Sequence, residues 1–226
     1  MSVSEFKRLG QRLESALGLT KPIVAVSFNP DIRKLRRSKD VVESSCAFWT
    51  KALEGAFYTT PDQHQHCSVG AVTHGYRLAR DTLPGSGLDD IDFLASTGWI
   101  GKSDILALPS LPIETQRRIG YSPLDRSPFV PDVVLMFCDS GQAALIKEAA
   151  PDSKVTVKPT CQGLPLANEG DVVIGLGCTA SRARSGYSDS EIVVTLNAKR
   201  LLGFVERLEK IASADFKVRK ALTHAA

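Results

Sequence analysis

Residues 131–137 read Pro131, Asp132, Val133, Val134, Leu135, Met136 and Phe137, an apolar run opened by a proline, and residues 141–150 follow it with helical spacing. A short β-branched run bounded by turn residues is the pattern of a strand buried on both faces, and a strand delivered straight into a helix is a βα unit. That commits the chain to an α/β fold. Strand-like runs recur at residues 22–28, 154–158, 171–176 and 191–196, with a shorter one at 56–60. Helical periodicity covers residues 4–17, where Phe6, Leu9, Leu13, Ala16 and Leu17 form one stripe stopped by Gly18, and residues 198–211. The expected architecture is a mixed sheet covered by helices on both faces. It is expected as a single domain over residues 1–226: an N-terminal helix (1–18), a core (19–214) and a peripheral tail (215–226) whose His224 belongs to no site.

With 43% hydrophobic and 23% charged residues, the 226-residue chain has the make-up of an ordinary globular protein with a substantial core. A net charge of +3 is too mild to imply nucleic acid, and the basic run at residues 33–39 reads as a solvated face. Residues 1–15 lack the apolar stretch of a secretory signal, and no run approaches the length of a membrane span. The expected compartment is therefore the cytoplasm. Five cysteines there are expected to be reduced thiols or metal ligands rather than a disulfide framework.

Four of those cysteines carry the chemistry. Cys46 follows Ser44 and Ser45 at the head of a helical run through Phe48, Trp49, Ala52 and Leu53 to Gly55. Cys67 lies in His64, Gln65, His66, Cys67, Ser68, Val69, Gly70, just where a helix expected to reach Ala79 begins. The amides and dipole of a helix start favour the thiolate, the form that binds metals and attacks electrophiles. Cys161 and Cys178 flank strand-like segments in the second half of the chain. A weak internal repeat links the halves: residues 22–28 and 131–137 both run from a proline to a phenylalanine. Cys67 precedes Gly75 and Tyr76 by the interval at which Cys178 precedes Gly186 and Tyr187. If the chain is pseudo-duplicated, twofold packing would bring Cys46, Cys67, Cys161 and Cys178 to one centre; an unrepeated fold is the alternative.

Taken together, the cysteine opening a helix at Cys46, the motif Cys67-Ser68-Val69-Gly70-Ala71 and the strand at 131–135 with Gln142, Ala143 and Ala144 after it form an ordered set. Cys161 and then Gly177-Cys178, leading through Arg182 to Asp189, Ser190 and Glu191, complete it. In this the chain resembles the family catalogued as domain of unknown function 169, over about residues 17–208. The family has no assigned activity. The resemblance implies that Cys46, Cys67, Cys161 and Cys178 are the positions that matter, whereas Cys138 falls where no special residue is expected. The chain departs from the family pattern at Cys178-Thr179-Ala180-Ser181, where a more glycine-rich loop is expected.

Four thiolates suit an iron–sulfur cluster, although no Cys-x-x-Cys pair supplies the familiar spacing. Such a cluster requires the four sulfurs to lie within roughly 6 to 7 Å of one another. Zinc held by His64, His66 and Cys67 with one more thiol is an alternative, though His64 and His66 alternate in direction. Haem on His66, His74 or a thiolate is another, and thiols holding no cofactor a fourth. The small-residue segment 177–186 is expected as a loop whose Arg182 and Arg184 bind a small anion or else pair with surface acids. The polar segment between residues 104–109 and 120–124 is expected as a small flap. No Walker lysine, dinucleotide fingerprint or Gly-x-Ser-x-Gly elbow is present. Two classes stay open: a redox or metal-centre protein acting on a small anionic molecule or a redox partner protein, and a binding or accessory protein with structural thiols. Whether the chain is an enzyme is left undecided by its sequence.

Overall fold

The computed structural model describes residues 1–223, so His224 lies outside the described residues. Its strands are β1 (Val24–Phe28), β2 (Arg36–Arg37), β3 (Phe57–Thr59), β4 (Ile119–Pro123), β5 (Val133–Cys138), β6 (Lys154–Thr156), β7 (Val172–Gly175) and β8 (Ile192–Asn197). The helices are α1 (Val3–Leu17), α2 (Ala47–Lys51), α3 (Ser68–Thr73), α4 (Asp89–Ser96), α5 (Lys102–Leu106), α6 (Ser140–Ala149), α7 (Gly163–Asn168), α8 (Thr179–Ser185) and α9 (Leu201–Thr223). All eight strands join one mixed sheet in the order β2-β3-β4-β1-β5-β8-β7-β6.

Side-chain alternation decides what covers each face. Ala25 of β1 and Val134, Met136 and Cys138 of β5 pack under α1, α6 and α9 with Phe6, Leu13, Ile146, Phe204 and Leu208. Val24 and Val26, with Val133, Leu135 and Phe137, face the other way, into a layer of short helices that contributes Phe48, Trp49, Val69, Ile91, Ile105 and Leu164. A strand buried on both sides cannot alternate polar and apolar residues, which is why β1 and β5 stand out as continuous apolar runs. Both sheet edges are charged, through Arg36 and Arg37 on β2 and Lys154 on β6, as suits strands that must not recruit another chain.

The sheet reads the same outwards from its centre. From the antiparallel β1–β5 pair, one arm steps to β4, β3 and β2 and the other to β8, β7 and β6. Each arm makes two antiparallel pairings and then a parallel one. Cys46 lies between β2 and β3 and Cys161 between β6 and β7, while Cys67 follows β3 and Cys178 follows β7. Gly75 and Gly186 also match, with left-handed φ of 73° and 71°, each followed by a tyrosine.

Four expectations need correction. The polar segment between residues 104–109 and 120–124 is tied down rather than a free flap: the Leu111 amide donates to the Thr73 carbonyl at 3.0 Å and the Glu114 amide to the Gly75 carbonyl at 2.9 Å, Leu111 and Arg117 are buried, and the segment runs into β4, a fully buried inner strand between β1 and β3. Its Gly120, Ser122 and Pro123 are poor strand formers, yet the site demands a glycine, because a Cβ at 120 would lie 2.7 Å from Pro30 Cγ and 3.1 Å from Phe129 Cε1. The supposed loop at 177–186 is the helix α8, capped by Cys178 at its start and by left-handed Gly186 at its end. The helix after Cys67 stops at Thr73 rather than running to Ala79, because Gly75 turns the chain there. Finally, α9 continues through the tail to Thr223, with Phe216 and Leu222 largely exposed.

Candidate functional site

On the short-helix face, Cys46, Cys67, Cys161 and Cys178 line one cavity, closed further by Ser44, Val69, Trp99, Pro159, Thr160 and Ser181. Each thiol is delivered at a helix start. Cys46 precedes α2, Cys67 is the N-cap of α3, Cys178 is the N-cap of α8, and Cys161 sits in a 3-10 turn (Thr160–Gln162) that runs into α7. Cys178 Sγ accepts from the Ser181 amide at 3.4 Å, doing for α8 what a serine oxygen does at most caps.

Hydroxyls knit the sulfurs together. Ser181 Oγ donates to Cys46 Sγ at 3.3 Å and lies 3.1 Å from Cys178 Sγ, so one buried hydroxyl spans two thiols. Thr160 Oγ1 accepts from the Cys178 amide at 2.8 Å, and Tyr187 Oη donates to the Cys46 carbonyl at 3.0 Å. The Cys46 thiol is the acidic member: the neighbouring Cys161 thiol favours its thiolate, and Ser181 and Ser44 assist against the opposing cost of burial. Cys161 is pushed well above the ordinary thiol range because its neighbour Cys46 disfavours a second charge and it is itself buried. Burial also raises Cys67. The free volume between the four is about 30 Å³, room for about two waters.

Cys138 lies on the opposite face of the sheet, among residues packed beneath α6 and α9, and burial with the neighbouring Asp139 pushes its thiol up to about 12. It has no part in the cavity.

The histidines do not join the thiols. His64 is fully buried with both ring nitrogens engaged, Nδ1 at 2.9 Å from Ser45 Oγ and Nε2 at 2.9 Å from Thr59 Oγ1. His66 is exposed and lines a separate open groove at the mouth. His74 is buried with Nδ1 on the Gly70 carbonyl at 2.7 Å. Burial pulls His64 well down and takes His74 to about 4, so both are neutral near pH 7. The set His64, His66 and Cys67 is thus not gathered. Among the described residues, no group of three or more His, Cys, Asp or Glu side chains is placed to hold a single metal ion.

The arginines part company as well. Arg182 is spent on the fold: its guanidinium donates to the carbonyls of Leu176, Ser188 and Glu191, closing the segment around α8. Arg184 stands at the rim of the cysteine cavity, 3.5 Å from the Glu43 carboxylate and donating to the Glu43 carbonyl at 3.3 Å. Only Arg184 is placed to meet an entering anion.

Four supporting residues complete the site. Asp90 accepts from both the Ser68 amide and the Ser68 hydroxyl at 2.7 Å, pinning the first turn of α3 beside Cys67. Ser45 carries the contact between His64 and the Cys67 loop, and Gly70 leaves the gap for it, since a Cβ there would lie 2.1 Å from Ser45 Oγ and 2.7 Å from Cys67 Sγ. Ser181 bridges two thiols. The one sequence signal was the hydroxyl three residues beyond Cys178; nothing local marks Asp90.

Fold and site together define an α/β protein with a buried four-thiol centre on one face of a mixed sheet. The chain belongs to the family of domain of unknown function 169, described as uncharacterised ArCR, whose model matches residues 12–207. No curated protein and no solved structure matched the chain. No helix among the described residues is long and apolar enough to cross a membrane.

Proposed function

We propose that Cys46, Cys67, Cys161 and Cys178 hold a redox centre, an iron–sulfur cluster, and that the protein exchanges electrons there with a small anionic molecule or a redox partner protein. The observation that carries this reading is that four cysteines from four separate chain segments line one cavity, while the fifth stands apart on the other face. The donor set fits, because four soft thiolates with no carboxylate among them are the ligands such clusters take. When bound, the cluster would supply one-electron transfer. The chain's own part is to present four thiols from helix starts, keep the surroundings apolar through Val69, Trp99 and Pro159, and place Arg184 where an anion enters. Because the cavity takes about two waters, loading would turn the thiol side chains outward to make room. The matching placement of the cysteines in the two arms of the sheet supports reading the chain as an internal duplication, with one pair of ligands from each half.

A second reading is a binding or accessory protein with structural thiols. It is favoured by Cys178 serving as a helix cap and by the hydrogen bonds from Ser181, which satisfy Cys46 and Cys178 without any metal. Anaerobic purification with iron, sulfide and zinc analysis separates the two. The cluster reading expects iron and acid-labile sulfide in equal amounts, a broad visible absorption near 400 nm of the kind iron–sulfur proteins show, and loss of both in Cys67→Ser but not in Cys138→Ser. Protein that stays colourless after reconstitution with iron and sulfide refutes it.

A further inference from the structure

Beside the cysteine cavity lies a second hollow of about 200 Å³, walled by Trp99, Ile100, Ala107, Leu108, Pro109 and Pro159. It shares Trp99 and Pro159 with the thiol cavity, and its floor residue Gln162 directly follows Cys161. Three polar side chains, Lys158, Asp104 and Gln162, share the lining with these apolar walls. Lys158 Nζ stands 5.2 Å from the Trp99 ring centre and donates to the Trp99 carbonyl, which holds an otherwise flexible ammonium at the rim. Asp104, the one carboxylate in the wall, accepts from the Gly101 amide at 2.8 Å through one oxygen, so the anion must seat on the Lys158 side of the hollow. Among the described residues, the salt bridges include none to Lys158, so its charge is free to meet a ligand. An apolar cleft with one fixed cation and a nearby amide is the usual form of a site for a small organic molecule carrying one negative charge.

We propose that this hollow binds a small organic anion with an apolar body, its carboxylate on Lys158 and its hydrocarbon part between Trp99, Leu108 and Pro159. The site shares no lining residue with the groove at Arg184, which includes His66 and Asp89. Inorganic phosphate, lacking an apolar body, should leave the hollow empty. The binding claim needs no cofactor in the thiol cavity. A ligand seated there would be separated from that cavity by Trp99 and the segment Pro159–Gln162, so the hollow is also a candidate antechamber to the cysteines.

The test uses the full chain and two tryptophans that report separately: Trp99 in the wall and Trp49, fully buried in the core. Butyrate, butyramide and phosphate are titrated while the two indole N–H signals are followed by NMR, with Trp99→Phe giving the assignment. The expected result is a saturable shift of the Trp99 signal with butyrate at millimolar concentration and no shift of Trp49. Affinity should fall roughly tenfold in Lys158→Gln, from loss of one charge-assisted contact, and vanish in Leu108→Trp, which fills the cleft. Butyramide and phosphate should bind at least tenfold more weakly. No saturable shift, equal binding of phosphate, or undiminished binding in Leu108→Trp each overturns the site. The same titration of Cys46→Ser isolates it from the redox reading: retained butyrate binding in a protein that holds no iron leaves the hollow standing even if the cluster proposal fails.

Discussion

Gly70→Ala is the most discriminating single change at the site, because helix propensity and packing predict opposite signs. Gly70 lies inside α3, where alanine is favoured over glycine by about 1 kcal/mol. Against that, the new methyl would stand 2.1 Å from Ser45 Oγ, 2.6 Å from Ser45 Cβ and 2.7 Å from Cys67 Sγ. The two terminal atoms can rotate aside, but the Ser45 Cβ can move only with its backbone. That backbone carries Cys46, and rotation of Ser45 Oγ breaks its 2.9 Å contact with buried His64. Overpacking of this kind costs about 1–3 kcal/mol, and leaving one buried polar partner unmade about 1–3 more. Less the helix gain of about 1 kcal/mol, the net is a loss of about 1–5 kcal/mol. For a chain of this size that lowers the thermal midpoint by about 2–20 °C. Urea unfolding followed by circular dichroism, with the melting temperature measured in parallel, reads both quantities. Gly70→Ala as stable as the parent protein would refute the close approach of Ser45, Gly70 and Cys67 and, with it, the tightness assigned to this side of the cavity.

Asp90→Ala should cost about 1–2 kcal/mol by freeing the start of α3, read as a lower urea midpoint; an unchanged midpoint would mean that the contact contributes nothing. In metal-free protein, mass-spectrometric iodoacetamide labelling should modify Cys67, half-buried, or Cys46, acidic, before Cys138, whose thiol is pushed up to about 12. Cys138 reacting first would remove the argument from helix starts. His74, taken by burial from an ordinary 6.5 to about 4, binds its proton more readily unfolded than folded. It therefore adds stability that is complete above about pH 6.5 and is lost as pH falls towards 4, by up to about 3 kcal/mol. His74→Gln should flatten that part of the stability curve measured by urea unfolding, and an identical acid slope in the variant would sink the assignment.

Strands β1, β5, β7 and β8 are legible because each is buried on both faces and so cannot hide its apolar run among polar residues. β4 is illegible for a tertiary reason. Its Gly120 answers to Pro30 and Phe129, groups that no local window contains. Residues 179–185 look loop-like because Thr179, Ser181, Ser185 and the flanking glycines dominate the pattern, yet their two alanines and two arginines are good helix formers and a cysteine cap with a left-handed glycine bounds them as a helix. The four cysteines could be singled out by type and by their place before helices. Their convergence rests on strand order, which the weak repeat only hinted at. The role of Arg182 is illegible in sequence because its acceptors are carbonyls, which every chain offers everywhere, and only the folded segment around α8 aims them at one guanidinium.

The central position of β1 also has a consequence in time. Val24 pairs with Pro123 on one side and Leu135 on the other, so the strand at the middle of the sheet is made about a hundred residues before either neighbour. At synthesis rates of about 5–20 residues per second, it waits on the order of 5–20 seconds for its first partner. α1, already made, can shelter the side bearing Ala25. The side bearing Val24 and Val26 belongs to the layer that holds the cysteines, whose Phe48, Trp49, Val69, Ile91 and Ile105 are made before β4, so what waits for the second half of the chain is the hydrogen-bonded edges of β1. Growing chains of this protein therefore carry an unpaired apolar strand through much of their synthesis, the state in which chaperones bind and misassembly begins.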